Sequence, residues 1–173
     1  MKTTAGKVAI LMGSDSDLDI MNEAVAALDE FGIPHDIKVL SAHRSPELVR
    51  EFVLAAETNG FHIFICGAGG AAHLAGVVAA HTKLPVIGVP IAATALNGFD
   101  SLLSTVQMPA GIPVATVAVG KAGARNAGIL AVQMLALSNE ALAKKLTDFK
   151  KQLCEGVIKK NEQLQAKTKQ RVS

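Results

Sequence analysis

The sequence predicts a doubly wound α/β fold, three-layer α/β/α, with a parallel five-stranded sheet between two layers of helices. Three observations carry this. Short apolar runs alternate with helix-period segments along most of the 173 residues, the pattern of strand–helix–strand units with right-handed crossovers. Val8–Met12 is apolar at every position, which marks a strand covered on both faces as in a parallel sheet. Half of the residues are hydrophobic but only 3% are aromatic, so Ala, Val, Ile and Leu must build the core.

Val8–Met12 is the first strand, closed by Gly13. Leu18, Met21, Val25 and Leu28 recur at helical spacing, and Gly32-Ile33-Pro34 stops that helix over 17–31. Asp36–Leu40 is the second strand. Pro46 suits a helix start, because its missing N–H has no partner to lose there. That helix carries Leu48, Val49, Phe52 and Val53 and ends near Asn59-Gly60. Phe61–Cys66 is the third strand, and Ala71–Ala80 a helix of small residues. Pro85–Ile91 is the fourth strand, followed by a loop with Asn97-Gly98 and a short helix near Leu102. Pro113–Val119 is the fifth strand, and a long helix covers about Ala124–Leu137. Five strands in such units suggest a flavodoxin-like order. After Ser138 comes one more helix, with Leu142, Leu146, Phe149, Leu153 and Val157 on one face and lysines on the other.

The expected organisation is one domain over residues 1–173, with an α/β core at about 7–137. The helix at 138–165 is expected at a subunit interface, and residues 166–173 as a flexible tail. The net charge of +2 conceals a body at −4 up to Ala143 and a tail at +6 from Lys144. A basic tail can touch nucleic acid, but lysines on one face of a helix read more simply as a solvated surface, and no nucleic-acid partner is expected. Cys66 and Cys154 lack CxxC or Cys/His spacing and read as free thiols of a reducing compartment. No apolar run approaches the ~20 residues of a membrane span, and the first residues lack the apolar stretch of a signal peptide. A cytoplasmic protein with no membrane partner is expected.

Three polar segments follow apolar strands: Gly13-Ser14-Asp15-Ser16-Asp17, Ser41-Ala42-His43-Arg44-Ser45-Pro46 and Gly67-Ala68-Gly69-Gly70-Ala71-Ala72-His73-Leu74. In a parallel sheet the strand ends share one edge, and ligands bind in the crevice there. Gly13 lets the backbone come close to a ligand, and the helix start beside it suits a phosphate. Ser14 and Ser16 add hydroxyls. Asp17 repels phosphate, so it suits ribose hydroxyls, or else caps the helix. Arg44 offers a forked, permanent cation for phosphate oxygens, and His43 can give and take a proton near neutral pH. The small residues from Gly67 onward leave backbone amides free. His73 either orients a carboxylate or ring nitrogen, or is a satisfied core histidine. The glycine run lacks the Lys-Ser/Thr ending of a Walker motif, and the first strand lacks a dinucleotide fingerprint, so neither ATP nor NAD is expected. His35, His62 and His81 have no ligand spacing, and no metal is expected.

In this order the three segments resemble those of the class I PurE family, which reads GS-x-SD, SAHR-x-P and GAGGAAHL at these places. The likeness continues through Asn97–Leu103, Val106–Val114 and Gly120–Gly123, so it covers about Val8 to Leu137. The resemblance implies an isomerase of purine biosynthesis, a 5-(carboxyamino)imidazole ribonucleotide mutase without cofactor or metal, assembled as an octamer. It implies His43 as general acid/base and Ser14, Asp17 and Arg44 on the ribonucleotide. Gly13, Ser16, Ser41, Ala42, Gly70 and Ala71 would complete the cradle, with His73 and Leu74 beside the carboxylate or CO2. Two positions depart from the family pattern: Ala75 stands where proline is usual, and Ser45 where threonine is usual.

Other readings compete. A sister class carboxylates aminoimidazole ribonucleotide directly, but it reads SAHK-G-P and lacks the glycine–alanine run. A signalling receiver domain would need an aspartate at the third strand end, where Cys66-Gly67 stand. A flavin carrier would want aromatics, and the chain has six Phe and no Trp or Tyr.

Overall fold

The computed structural model describes residues 6–169. β1 (Lys7–Met12) leads through a 3-10 turn at Asp15–Asp17 into α1 (Leu18–Phe31), and β2 (His35–Val39) leads into α2 (Pro46–Ala55). β3 (Phe61–Gly69), α3 (Leu74–His81), β4 (Val86–Ile91), α4 (Phe99–Val106), β5 (Ala115–Thr116), α5 (Lys121–Ala136) and α6 (Glu140–Lys169) follow. The strand order is β2-β1-β3-β4-β5 and every pairing is parallel, the flavodoxin-like arrangement whose ligand crevice lies between β1 and β3.

The local signals act as the residues dictate. Gly32 ends α1 at φ 71°, and the Ile33 N–H donates back to the Leu28 carbonyl at 2.9 Å, a glycine-capped stop. Pro46 opens α2. One face of the sheet meets α1 and α5 through Ile10, Met12, Ile65 and Ile87; the other meets α2 and α3 through Leu11, Phe64 and Cys66. The Cys66 thiol is wholly enclosed, and burial pushes its pKa far up, so it stays protonated.

Several elements differ from the sequence expectation: α2 ends at Ala55 rather than near Asn59-Gly60, α5 starts at Lys121 rather than Ala124, and β3, α3 and β5 also change. β3 runs on to Gly69, because Gly67, Ala68 and Gly69 pair with Val89, Pro90 and Ile91. Side chains there would collide: a Cβ on Gly67 would overlap the Met21 thioether, and one on Gly69 would come within 2.5 Å of the Ala93 methyl. α3 therefore starts at Leu74 rather than Ala71, after a turn in which Gly70 takes φ 60°. β5 shrinks to two residues. It is an edge strand, and Pro113 has no N–H to offer a ladder. Beyond it the backbone bonds to β4 are single ones, Val117 N–H to Gly88 O and Gly120 N–H to Pro90 O.

α6 divides its apolar stripe between two settings. Leu142, Leu146 and Phe149 pack on the body, with the Phe149 ring edge-on to Phe31 at 5.5 Å. Leu153, Val157 and Leu164 are exposed. The helix continues to Lys169, past the expected boundary at 165; residues 170–173 of the expected tail lie outside the described residues.

Candidate active site

β1, β2, β3 and β4 all end at one edge of the sheet, and a cleft of about 330 Å³ opens there. Each sequence-expected segment reaches it. Gly13, Ser14, Ser16 and Asp17 line it from β1, Ser41, Ala42, His43 and Arg44 from β2, and Gly70, Ala71 and Leu74 from β3. His73 stands behind His43: His43 Nε2 lies 2.8 Å from His73 Nδ1, with the rings edge-on at 82°. His73 is exposed, so it is no core histidine; its partner is the other imidazole.

The β1 segment is shaped by its serines. Ser14 caps the 3-10 turn, its Oγ accepting from the Ser16 N–H at 3.3 Å and from the Ser16 hydroxyl at 2.9 Å. Asp17 occupies the N-cap position of α1 but makes no side-chain cap bond. Its side chain is instead buried at the cleft, 6% exposed. Burial raises its pKa above the ordinary carboxylate value; the Ser14 backbone, the Arg44 charge and Ser16 oppose the rise only in part.

The β2 loop is tied into one piece. Leu40 N–H donates to the Met12 carbonyl at 2.9 Å. Ser41 N–H donates to Ser45 Oγ at 3.0 Å, and that hydroxyl donates back to Ser41 O at 3.1 Å. Ser41 Oγ accepts the Arg44 N–H at 3.1 Å, and Arg44 Nη2 donates to the Gly13 carbonyl at 2.5 Å. Among the described residues Arg44 has no carboxylate within ion-pair distance, so its charge is available to an anion.

The other histidines are held locally: His35 by Ile33 O, His62 by Gly60 O and His81 by Val77 O, at 2.8–3.0 Å. No cluster of three or more His, Cys, Asp or Glu side chains fit for a metal occurs among the described residues. Ala75 sits buried in the first turn of α3, which forms without proline.

Two lining residues lie outside the three expected segments, Ala93 and Thr94 after β4; Ala68 and Gly69 belong to the expected glycine–alanine segment, which gives them no individual role. The topology carries the missing signal. β4 neighbours β3, so the segment leaving β4 must pass the same edge.

In chemical terms the cleft joins a guanidinium outside any ion pair, four hydroxyls from Ser14, Ser16, Ser41 and Thr94, a buried carboxylate, a bonded imidazole pair and a floor of unencumbered backbone. That set suits an anionic, hydroxylated substrate with a proton to move. The comparisons with known proteins agree. The family model described as AIR carboxylase matches residues 7–155, which reaches into α6 and beyond the expected Leu137. The chain is 52% identical to the N5-carboxyaminoimidazole ribonucleotide mutase of Bacillus subtilis (strain 168) over 157 residues, 91% of this chain and 97% of that one. It is 50% identical to the protein of the same name from Pyrococcus horikoshii over 165 residues, 95% of this chain and 92% of that one. The crystal structure of Treponema denticola PurE matches with a TM-score of 0.83 at 28% identity, covering 91% of this chain and 98% of that chain. The chain therefore belongs to the AIR carboxylase family.

Proposed function

We propose that this enzyme is a mutase of purine biosynthesis that converts 5-(carboxyamino)imidazole ribonucleotide to 4-carboxy-5-aminoimidazole ribonucleotide. The observation that carries this reading is the imidazole pair of His43 and His73, 2.8 Å apart at a cleft that also presents Arg44 and Asp17.

In this reading Arg44 and the Ser14–Ser16 turn bind the phosphate, and Asp17 accepts from the ribose hydroxyls. Gly13, Ser41, Ala42, Gly70 and Ala71 line the path of the sugar and base, and Leu74 forms an apolar floor. His43 carries the proton. As imidazolium it protonates the carbamate nitrogen, the C–N bond breaks, and its electron pair stays on that nitrogen as CO2 departs. The electron-rich ring carbon then attacks the CO2 carbon and forms the new C–C bond. The imidazole removes the proton from that ring carbon, which restores aromaticity and returns His43 to its starting form. One group serves both steps because an imidazole can hold or release a proton near neutral pH. His73 fixes the ring of His43. Holding CO2 beside the ring keeps its effective concentration high, and escape to water is the competing loss.

The test is purified protein with freshly made 5-(carboxyamino)imidazole ribonucleotide, with product followed directly. Conversion supports the reading. Inertness toward it, with rapid carboxylation of aminoimidazole ribonucleotide by bicarbonate, would establish the sister reaction instead.

A homo-octamer in the cytoplasm is the assembly and place we infer. The exposed Leu153, Val157 and Leu164 of α6 and Leu96, Phe99 and Leu103 at α4 support association. No helix among the described residues is long and apolar enough to cross a membrane. Light scattering measures the assembly.

A further inference from the structure

The segment between β4 and α4 brings Ala93 and Thr94 to the cleft, and the mechanism above uses none of the groups that hold it. Its chain is bent by left-handed backbone at Asn97, φ 50°, and Gly98, φ 86°. Asn97 N–H donates to Thr94 O at 3.1 Å. The buried Ser101 hydroxyl reaches Ile91 O at 2.9 Å and Gly98 O at 3.0 Å, which pins the start of α4 to the end of β4.

Asp100 stands in that pinned first turn. Its Oδ1 accepts the Ser101 N–H at 2.9 Å, and its Oδ2 accepts the Thr94 hydroxyl at 2.6 Å. The Thr94 bond in particular holds the Asp100 acid below its ordinary pKa, so the carboxylate is ionised and the bond is charge-assisted. Thr94 Oγ1 also accepts the Leu96 N–H at 3.2 Å. Both bonds draw the hydroxyl toward the segment that leads into α4. The methyl takes the other branch: Thr94 Cγ2 lies 3.4 Å from where a Gly70 side chain would begin. A β-branched side chain places hydroxyl and methyl together, so fixing one fixes the other.

We propose that Asp100 is a positioning residue for the carboxylate transfer: by holding the Thr94 hydroxyl it keeps the Thr94 methyl over Gly70 and closes this end of the cleft with apolar surface. This rests on the reaction proposed above, in which CO2 is free between two bond-making steps. Released from Asp100, Thr94 turns its hydroxyl toward the backbone of Gly70, brings water with it, and CO2 escapes. Asp100 acts through Thr94 and does not itself meet the substrate.

The experiment is a double-mutant cycle read by leakage, the amount of aminoimidazole ribonucleotide released per carboxylated product, together with KM. Asp100→Ala is expected to raise leakage about threefold to tenfold, the weight of one lost hydrogen bond. Asp100→Asn keeps an acceptor oxygen and recovers much of the loss. In a Thr94→Val background no hydroxyl remains to be held, so adding Asp100→Ala changes leakage by less than about twofold. Asp100 also favours the start of α4 by its charge; a role confined to that would lower Tm and leave leakage alone. Unchanged leakage in Asp100→Ala overturns the proposal, as does an increase that persists in full beside Thr94→Val. If Asp100→Ala does not fold, the same cycle run with Asp100→Ser decides, since the shorter side chain can still cap the helix start but stops short of the Thr94 hydroxyl. In all these outcomes the wild type still converts its substrate. A wild type that does not convert it overturns the reaction, and the positioning role with it.

Discussion

The wall of the cleft nearest β1 and β2 is built from side chains, whereas the wall from β3 and β4 is built mostly from backbone. On the first, Ser14, Asp17 and Ser41 line the cleft, Arg44 ties the two loops together through Gly13 O, and His43 projects from one of them. On the second, Ala68, Gly69, Gly70, Ala71 and Ala93 offer almost no side-chain atoms. The first wall has functional groups to lose, and the second has no room to gain any. Substitutions on the first should therefore change chemistry and leave the fold, while those on the second should strain the fold before they touch the chemistry. That contrast can be broken by experiment.

The largest effect belongs to His43→Asn. A positioned acid/base contributes about 10²–10⁴ in rate, so turnover should fall by that factor. His43 is exposed, so Tm should stay within the scatter of ordinary surface variants. A large fall in Tm would mean that this wall too holds up the fold. Next comes Arg44→Ala, for which KM should rise about 10- to 100-fold, the loss of hydrogen bonds to a charged partner. Arg44→Lys should recover only part of it, because an ammonium keeps the charge without the fork that reaches Gly13 O.

Gly69→Ala probes the other wall. Its new methyl would stand 2.5 Å from the Ala93 methyl and 3.1 Å from Ile91 O, so stability should drop by about 1–3 kcal/mol as the segment after β4 is pushed aside. Gly13→Ala is the matched control, since nothing lies within 4 Å of that added atom and the change should be within about 0.5 kcal/mol. Urea unfolding of the pair measures both. Equal losses would erase the distinction between the walls.

The same contrast governs what could be read in the sequence. His43, Arg44, Ser14 and Asp17 announce themselves by residue type and by standing after apolar runs, and the structure gathers all of them at one cleft. The parallel sheet follows from the alternation of elements, and the count of five strands points to its order. Ala93 and Thr94 have no such signature; their place depends on β4 lying beside β3 and on how Asn97 and Gly98 bend the chain. The His43–His73 bond joins residues 30 apart in sequence, a distance that spacing alone does not bridge. β5 is shorter than its apolar run because Pro113 has no N–H for a ladder, and beyond Thr116 the chain keeps only the Val117–Gly88 and Gly120–Pro90 backbone bonds to β4.

Asp17→Asn is the smallest change and the sharpest test of the side-chain wall. The carboxyl is buried, and burial raises its folded-state pKa above the ordinary 3.8. The native chain therefore holds this proton more tightly than the unfolded chain does. Stability contributed by the protonated form is present below 3.8 and is lost as pH rises through the raised folded value, after which it is flat. Asparagine has no proton to lose and removes that slope. At neutral pH the variant should therefore melt higher than the wild type. Its affinity for the ribonucleotide should fall roughly tenfold, because the amide replaces a charged acceptor. Melting curves across pH 4–7 (with wild type alongside) and calorimetric titration with product measure the two effects. A variant that binds weakly yet melts higher would show that Asp17 is kept for the ligand against its own cost to the fold. Equal melting at every pH would show that Arg44 and the serines already offset that cost, and the side-chain wall would then be as well satisfied without substrate as the backbone wall opposite.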